Sequence, residues 1–217
     1  MHVDGHGAGR TGAADPPNIQ RDPMKQIIAL AAVAVSALAP TLAHAGLDSA
    51  NPVHPLLGIA ITGGGDKLST VDYTNGESQD ITAGGLVQLY GGIEYHPQGS
   101  PVAFQGTFGY HVDSTHARNG NQQFSRWPLE AIALFNVAPQ FRLGAGLRYA
   151  SSPKFTSDGA GDVGNADFKA QVGAILMGEW LITPSMGVQV RYVHETYKLD
   201  GVSYDGSHGG LGFNYYF

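Results

Sequence analysis

The chain has no cysteine, so neither a disulfide framework nor a thiolate metal site is open to it. Charge is scarce: Asp, Glu, Lys and Arg together make up 14% of 217 residues. Basic charge is the scarcer sign, with 12 Lys and Arg against 18 Asp and Glu. A net charge of −6 argues against a surface built for a nucleic-acid backbone. No apolar run reaches the ~20 residues that a spanning helix needs. Helical periodicity is also missing, because no window after Ala45 shows a convincing apolar helical face. For this length a single domain is the default.

What is present begins at the N-terminus. Met24-Lys25 is followed by "QIIALAAVAVSALA", Pro40 and "TLAHA", which ends at Ala45. A basic start, a short apolar stretch and an A-x-A box over Ala43, His44 and Ala45 predict a secretory signal peptide at 24–45. The apolar stretch is too short for a membrane anchor, and Pro40 interrupts it. Residues 1–23 are polar and rich in Gly and Pro, and are expected to be an extension ahead of the true start at Met24. The exported domain is then 46–217, and it carries all of the excess acidic charge.

Within 46–217 the recurring pattern has period two. "FRLGAGLRY" (141–149) places Phe141, Leu143, Ala145, Leu147 and Tyr149 opposite Arg142, Gly144, Gly146 and Arg148. "MGVQVRYVHETY" (186–197) and "FKAQVGAILMGEW" (168–180) alternate in the same way. With 56–66, 86–96, 102–113, 124–136 and 208–217, eight strands are expected, near the length of a tilted membrane strand. "HPQGSP", "NVAPQ" and "ITPS" form short proline-containing turns. They alternate with longer polar connections at 67–85, 114–123, 150–167 and 198–207. Short turns at one end and long loops at the other predict an all-β, eight-stranded antiparallel up-and-down transmembrane β-barrel. Two aromatic girdles are expected. Tyr95, Phe104, Phe135, Phe141 and Trp180 would lie at the turn end, and Tyr110, Trp127, Tyr149 and Phe168 at the loop end. Pro128 conflicts with its strand, where it marks either a bulge or a late start of regular pairing.

The segment 46–217 resembles the small eight-stranded outer-membrane barrels of the OmpA/OmpX type. Its ending, "FNYYF", is similar to their terminal signal, in which alternating aromatic or apolar residues close on Phe. The resemblance implies that Phe213, Tyr215 and Phe217 address the chain to the barrel-assembly machinery. It further implies residence in the outer membrane of a Gram-negative bacterium, both termini periplasmic, among outer-membrane lipids and lipopolysaccharide and as a monomer. An envelope-integrity or surface-interaction role follows, and no cofactor is called for.

The polar face would look inward. It carries Glu94, Glu130, Glu179 and Glu195 with Arg126, Arg142, Arg148, Arg191 and Lys169. A lumen of about eight strands is just wide enough for side chains to fill. A near-neutral charge network plugging it is therefore expected, and a narrow porin-like channel is the alternative.

Other motifs suggest chemistry. "GAGDVG" (159–164) satisfies G-x-G-x-x-G but lacks the following helix that a phosphate site needs. Asp158, Asp162, Asn165 and Asp167 could suit Ca²⁺, though Ala160 stands where a further ligand belongs. His111, Asp113, Ser114 and His116, or Ser207-His208, would have to converge to serve a lipid A deacylase or acyltransferase. Loop 65–80, with Asp72, Tyr73, Glu77 and Asp80, is a candidate adhesive surface.

Overall fold

The structure is a computed structural model that describes residues 51–72, 78–117, 120–159 and 162–217. The expected signal peptide, residues 1–23, Tyr73 and Glu77 lie outside these residues.

The strand β1 (Val53–Gly64) leads into a hairpin of β2 (Lys67–Asp72) and β3 (Ser78–Thr82). Then come β4 (Leu86–Tyr95), β5 (Val102–Ala117), β6 (Gly120–Ala138) and β7 (Phe141–Gly159). Two short pieces, β8 (Ala166–Asp167) and β9 (Lys169–Ala170), precede β10 (Val172–Thr183) and β11 (Met186–His194). A second hairpin, β12 (Thr196–Leu199) and β13 (Val202–Asp205), precedes β14 (His208–Tyr216).

Eight of these close into one antiparallel barrel, in the order β10-β11-β14-β1-β4-β5-β6-β7, with β7 paired back to β10. The chain ends meet at the seam, where Leu56 pairs with Tyr216 and Ile61 with Leu211. Phe217 N–H donates to Pro55 O at 2.9 Å. Closure leaves no strand edge, which is the condition for a sheet in lipid.

Alternation decides which side each residue takes. Leu57, Ile61, Leu89, Ile93, Phe104, Phe108, Leu129, Leu147, Leu176, Val190 and Leu211 are large, apolar and exposed on the outer wall. Tyr95, Phe135, Phe141 and Trp180 ring the turn end, and Trp127 and Tyr149 ring the loop end. Tyr110 is half-buried against Trp127, with ring centroids 4.7 Å apart. An apolar band between aromatic girdles is matched to a bilayer, not to water.

The long connections are more regular than expected. Pairing of β5 with β6 runs out to Ala117↔Gly120, and β7 continues to Gly159 opposite Gly120. Most of 114–123 and 150–159 is thus strand. The connections 67–85 and 198–207 contain hairpins. The sixth barrel strand starts at Val172, not Phe168. The ladders persist beyond the membrane because their inner faces bury a second apolar core. Ile81, Ala83, Phe124, Ala150, Phe155, Phe168 and Tyr197 pack there, with Leu68, Leu199 and Tyr204 against them.

That core corrects one girdle assignment: Phe168 is buried in it, edge-on to Phe124 at 5.5 Å, and does not face lipid. Between β9 and β10, Gln171 lies outside the regular strand, and the inward face changes from even to odd positions. Pro128 is also resolved. The β5–β6 ladder is interrupted between Leu129 and Arg126 but keeps its register. The compensating bulge lies across the way in β7, between Ser151 and Lys154. There Ser152 takes a left-handed φ of 49°, in keeping with the local distortion of a bulge.

Candidate functional site

The lumen is the densest chemical feature of the molecule. At the turn end, Arg142 lies between two carboxylates. Its Nη1 donates to Glu94 Oε1 at 2.7 Å, its Nε donates to Glu179 Oε2 at 3.0 Å, and its Nη2 also donates to Glu179. Tyr216 O–H donates to Glu179 Oε1 at 2.7 Å and accepts from Arg142 Nη2 at 2.8 Å. Gln105 Nε2 donates to Glu94 Oε2 at 2.7 Å, and Asn214 Nδ2 to Glu179 Oε1 at 2.8 Å. Above this cluster an apolar layer of Ile132, Leu134, Ile175 and Met177 covers one wall. Tyr90 fills the opposite side, and its hydroxyl donates to Asn214 Oδ1 at 2.6 Å. Gly58 makes room for it, because a Cβ there would overlap the Tyr90 ring.

A second charged cluster sits nearer the loops. Glu130 Oε1 accepts from Arg148 Nη1 at 2.5 Å and from Arg191 Nη2 at 2.6 Å. Arg148 Nε donates to Glu195 Oε2 at 2.9 Å, and its Nη1 to Gln88 Oε1 at 2.9 Å. His111 completes the cluster. Thr62 O–H donates to Gly84 O at 2.9 Å, and Thr62 Oγ1 lies 2.8 Å from His111 Nε2, which Arg126 Nη2 approaches to 3.1 Å. Arg148 Nη2 lies 2.9 Å from the other ring nitrogen, Nδ1. The His111 ring thus stands between Arg148 and Arg126.

Arg126 is the junction between lumen and cap. It is fully buried, lies 3.9 Å from Glu195 and donates to Gly85 O at 3.3 Å. Its guanidinium lies 5.0 Å from the centroid of the Phe124 ring, a cation–π contact between the polar and the aromatic interior. Tyr197 closes the cap from above and donates to Glu195 Oε1 at 2.6 Å. Burial raises its phenol above the ordinary value against the opposing pull of Arg126, so it serves here as a donor.

Eight of the nine charges expected in the lumen are brought together there. Lys169 is not among them: it stands exposed on β9, outside the barrel. The strand break at Gln171 that turns Phe168 inward turns Lys169 outward. Asp113 is inside instead, where Oδ2 accepts from Thr82 N at 2.9 Å and ties the first loop to β5. The period-two pattern of 102–113 is consistent with an inward Asp113, but nothing in the sequence points to Thr82. Of the cap residues, Phe124 and Tyr197 stand at the ends of the expected strands 124–136 and 186–197 and Phe155 lies in the expected connection 150–167, and only their apolar character hints at a cap.

The remaining motifs are dispersed. His111 is engaged by Thr62 and Arg148, Asp113 by Thr82, and Ser114 lies on β5. The side chain of His116 lies outside the described residues. His208 points into the lumen toward Glu195, at 3.6 Å. Ser207 meets a different histidine, with its Oγ 2.9 Å from His194 Nδ1. Asp205 accepts from Ser207 N at 2.9 Å, so it orients the serine and not the imidazole, unlike a triad acid. "GAGDVG" trails from the end of β7, and Ala160 and Gly161 lie outside the described residues. Asp158, Asp162 and Asn165 direct side-chain oxygens to backbone N–H groups of Asn121, Gly164 and Ser157. In the first loop Asp80 is exposed and binds Lys67 at 2.8 Å. Phe213 and Tyr215 are half-buried on the outer side of β14, and Tyr215 packs edge-on against Phe217.

A closed wall with a lipid-matched exterior and an ionic interior is the architecture of a transmembrane β-barrel, and the chain is an eight-stranded one. No protein-family model and no curated protein matches it. Among solved structures it is similar to Ail, the attachment invasion locus protein of Yersinia pestis. The two are 14% identical, over 76% of this chain and 97% of that one, with a TM-score of 0.49. It is similar to Neisserial surface protein A at 12% identity, over 78% and 100% of the two chains, with a TM-score of 0.45. A de novo designed transmembrane β-barrel gives 12% identity, 77% and 98% coverage, and a TM-score of 0.37. The membrane assignment stands on the molecule's own surface and closure.

Proposed function

We propose that this protein is a non-conducting outer-membrane barrel that serves the envelope as a rigid support for its surface loops. The observation that supports this reading is the filled interior. Arg142, Arg148, Arg191 and Arg126 engage Glu94, Glu179, Glu130 and Glu195 across the lumen, and an apolar cap lies over them. Buried ion pairs of this kind are poor sources of net stability against well-packed apolar alternatives. A barrel in lipid has no such alternative on both faces, so polar filling also distinguishes inside from outside. Export through the signal peptide at 24–45, assembly through Phe213, Tyr215 and Phe217, and a monomeric state complete the proposal. Planar-bilayer recording with the purified barrel tests it. The expected result is no stable conductance, and sustained large currents would reject it in favour of a channel.

The second reading, a lipid-modifying enzyme, draws on the Ser207–His194 contact on the outer side of the barrel. Its test is the mass of lipid A in a host lacking such enzymes. A shift on expression that disappears in Ser207→Ala would establish it, and an unchanged mass spectrum would remove it.

A further inference from the structure

The described basic residues divide by type: Arg126, Arg142, Arg148 and Arg191 are inside the lumen, whereas all the described lysines are exposed at the loop end. Three of those lysines gather on one side of the outer wall. Lys169 on β9 pairs directly with Lys198 on β12. Lys154 on β7 pairs with Asp167 on β8, with 3.9 Å between Nζ and Oδ1. Among the described residues neither Lys169 nor Lys198 has a carboxylate within ion-pair distance.

Like charges directly opposite in an antiparallel pair are destabilising. Protection of a sheet edge is one reason to place lysine on a strand. It fits Lys169 on the edge strand β9, but not Lys198, because β12 lies between β13 and β9. The patch also stands out in a chain whose net charge is −6. Its position supplies a reason. Directly toward the membrane on the same wall are Val172, paired with Tyr149, and Leu176, paired with Tyr192, all exposed. An apolar and aromatic surface below three ammonium groups, only one of which has an ion-pair partner among the described residues, matches an acyl chain below a phosphorylated head group.

We propose that Lys154, Lys169 and Lys198 bind the phosphate of an outer-leaflet lipid whose chain lies on the wall beneath them. This rests on the outer-membrane reading and adds to it a ligand class and a site. Among the described residues Asp167 is the one acid within ion-pair distance of these lysines, and it holds Lys154 only at 3.9 Å.

The test uses the full barrel in phosphatidylcholine nanodiscs, titrated with diphosphorylated lipid A and with its dephosphorylated form. Substituting all three lysines by glutamine should weaken binding of the diphosphorylated lipid about a hundredfold, from the contribution of each basic residue at an anionic surface. Lys67→Gln, which removes the lysine paired with Asp80, should leave it unchanged. The dephosphorylated lipid should bind the native protein as weakly as the phosphorylated one binds the triple variant. Undiminished binding by the triple variant would overturn the proposal. Equal displacement by inorganic phosphate would overturn the choice of a lipid. Heat-modifiability of each variant is measured first. Loss of the barrel in the native chain, which overturns both readings, is thereby told apart from retained binding in the variant, which overturns only this one.

Discussion

The lumen and the cap above it are lined by the same strands, yet they are built of opposite materials. Along β7, Arg148 faces inward and Tyr149 outward within the membrane, whereas farther out Phe155 faces inward and Lys154 outward. On β6 the change falls between Arg126 and Phe124, both of which face inward. What lies outside the wall accounts for the inversion. In lipid the outer face must be apolar, so polar groups are gathered inside and must satisfy one another. In water the ordinary rule returns, and apolar side chains are buried. One closed sheet thus carries two cores, and Arg126 over the Phe124 ring joins them.

The largest expected effect comes from breaking the lumen side of that comparison. Arg142→Met removes the cation shared by Glu94 and Glu179. A buried pair stripped of one partner costs about 3–5 kcal/mol. Urea unfolding in micelles, followed by gel shift, should show this as a loss for the whole barrel. Breaking the cap should act locally. Phe124→Ala removes the ring packed edge-on against Phe168 and Tyr197, a change of about 3 kcal/mol for a buried Phe. Limited proteolysis should then cut near 198–207, while the heat-modifiable barrel persists. Loss of the barrel itself would show that lumen and cap are a single core.

Filling a space is expected to be milder. Gly58→Ala pushes the Tyr90 ring out of place, at a cost of about 1–3 kcal/mol for overpacking, read from the same urea transition. The smallest effect belongs to the exposed hairpin. Hydrogen bonds from Lys67 and then Thr70 hold Asp80 below the ordinary carboxylate value. Its contribution is complete above the unfolded value and is lost as the pH falls through the depressed folded value. Amide exchange in β2 and β3 should therefore quicken only in acid below the ordinary carboxylate range, with the barrel strands unaffected.

Strand number, closure and the inward set of four arginines and four glutamates were legible in the sequence, because alternation is a local property of a pleated chain. Lys169 and Phe168 were misplaced for a reason that is equally local. Parity is carried only as far as the strand is continuous, and the break at Gln171 reverses it. The bulge at Ser152 acts likewise, so that Tyr149 faces lipid and Phe155, also at an odd position, faces inward.

Composition and alternation by themselves determined a membrane barrel with a charged interior, since side-chain direction along a strand needs no knowledge of distant residues. Neighbouring-strand partners such as Glu130 with Arg148 and Glu179 with Arg142 follow once the register is known. Only the tertiary structure decided the pairs that cross the lumen, Arg142 with Glu94 and Arg191 with Glu130. It alone decided the cap, where residues from both hairpins meet β6 and β7. Such contacts depend on the curvature of the closed wall and on how far each strand rises above the bilayer, and no local pattern encodes either.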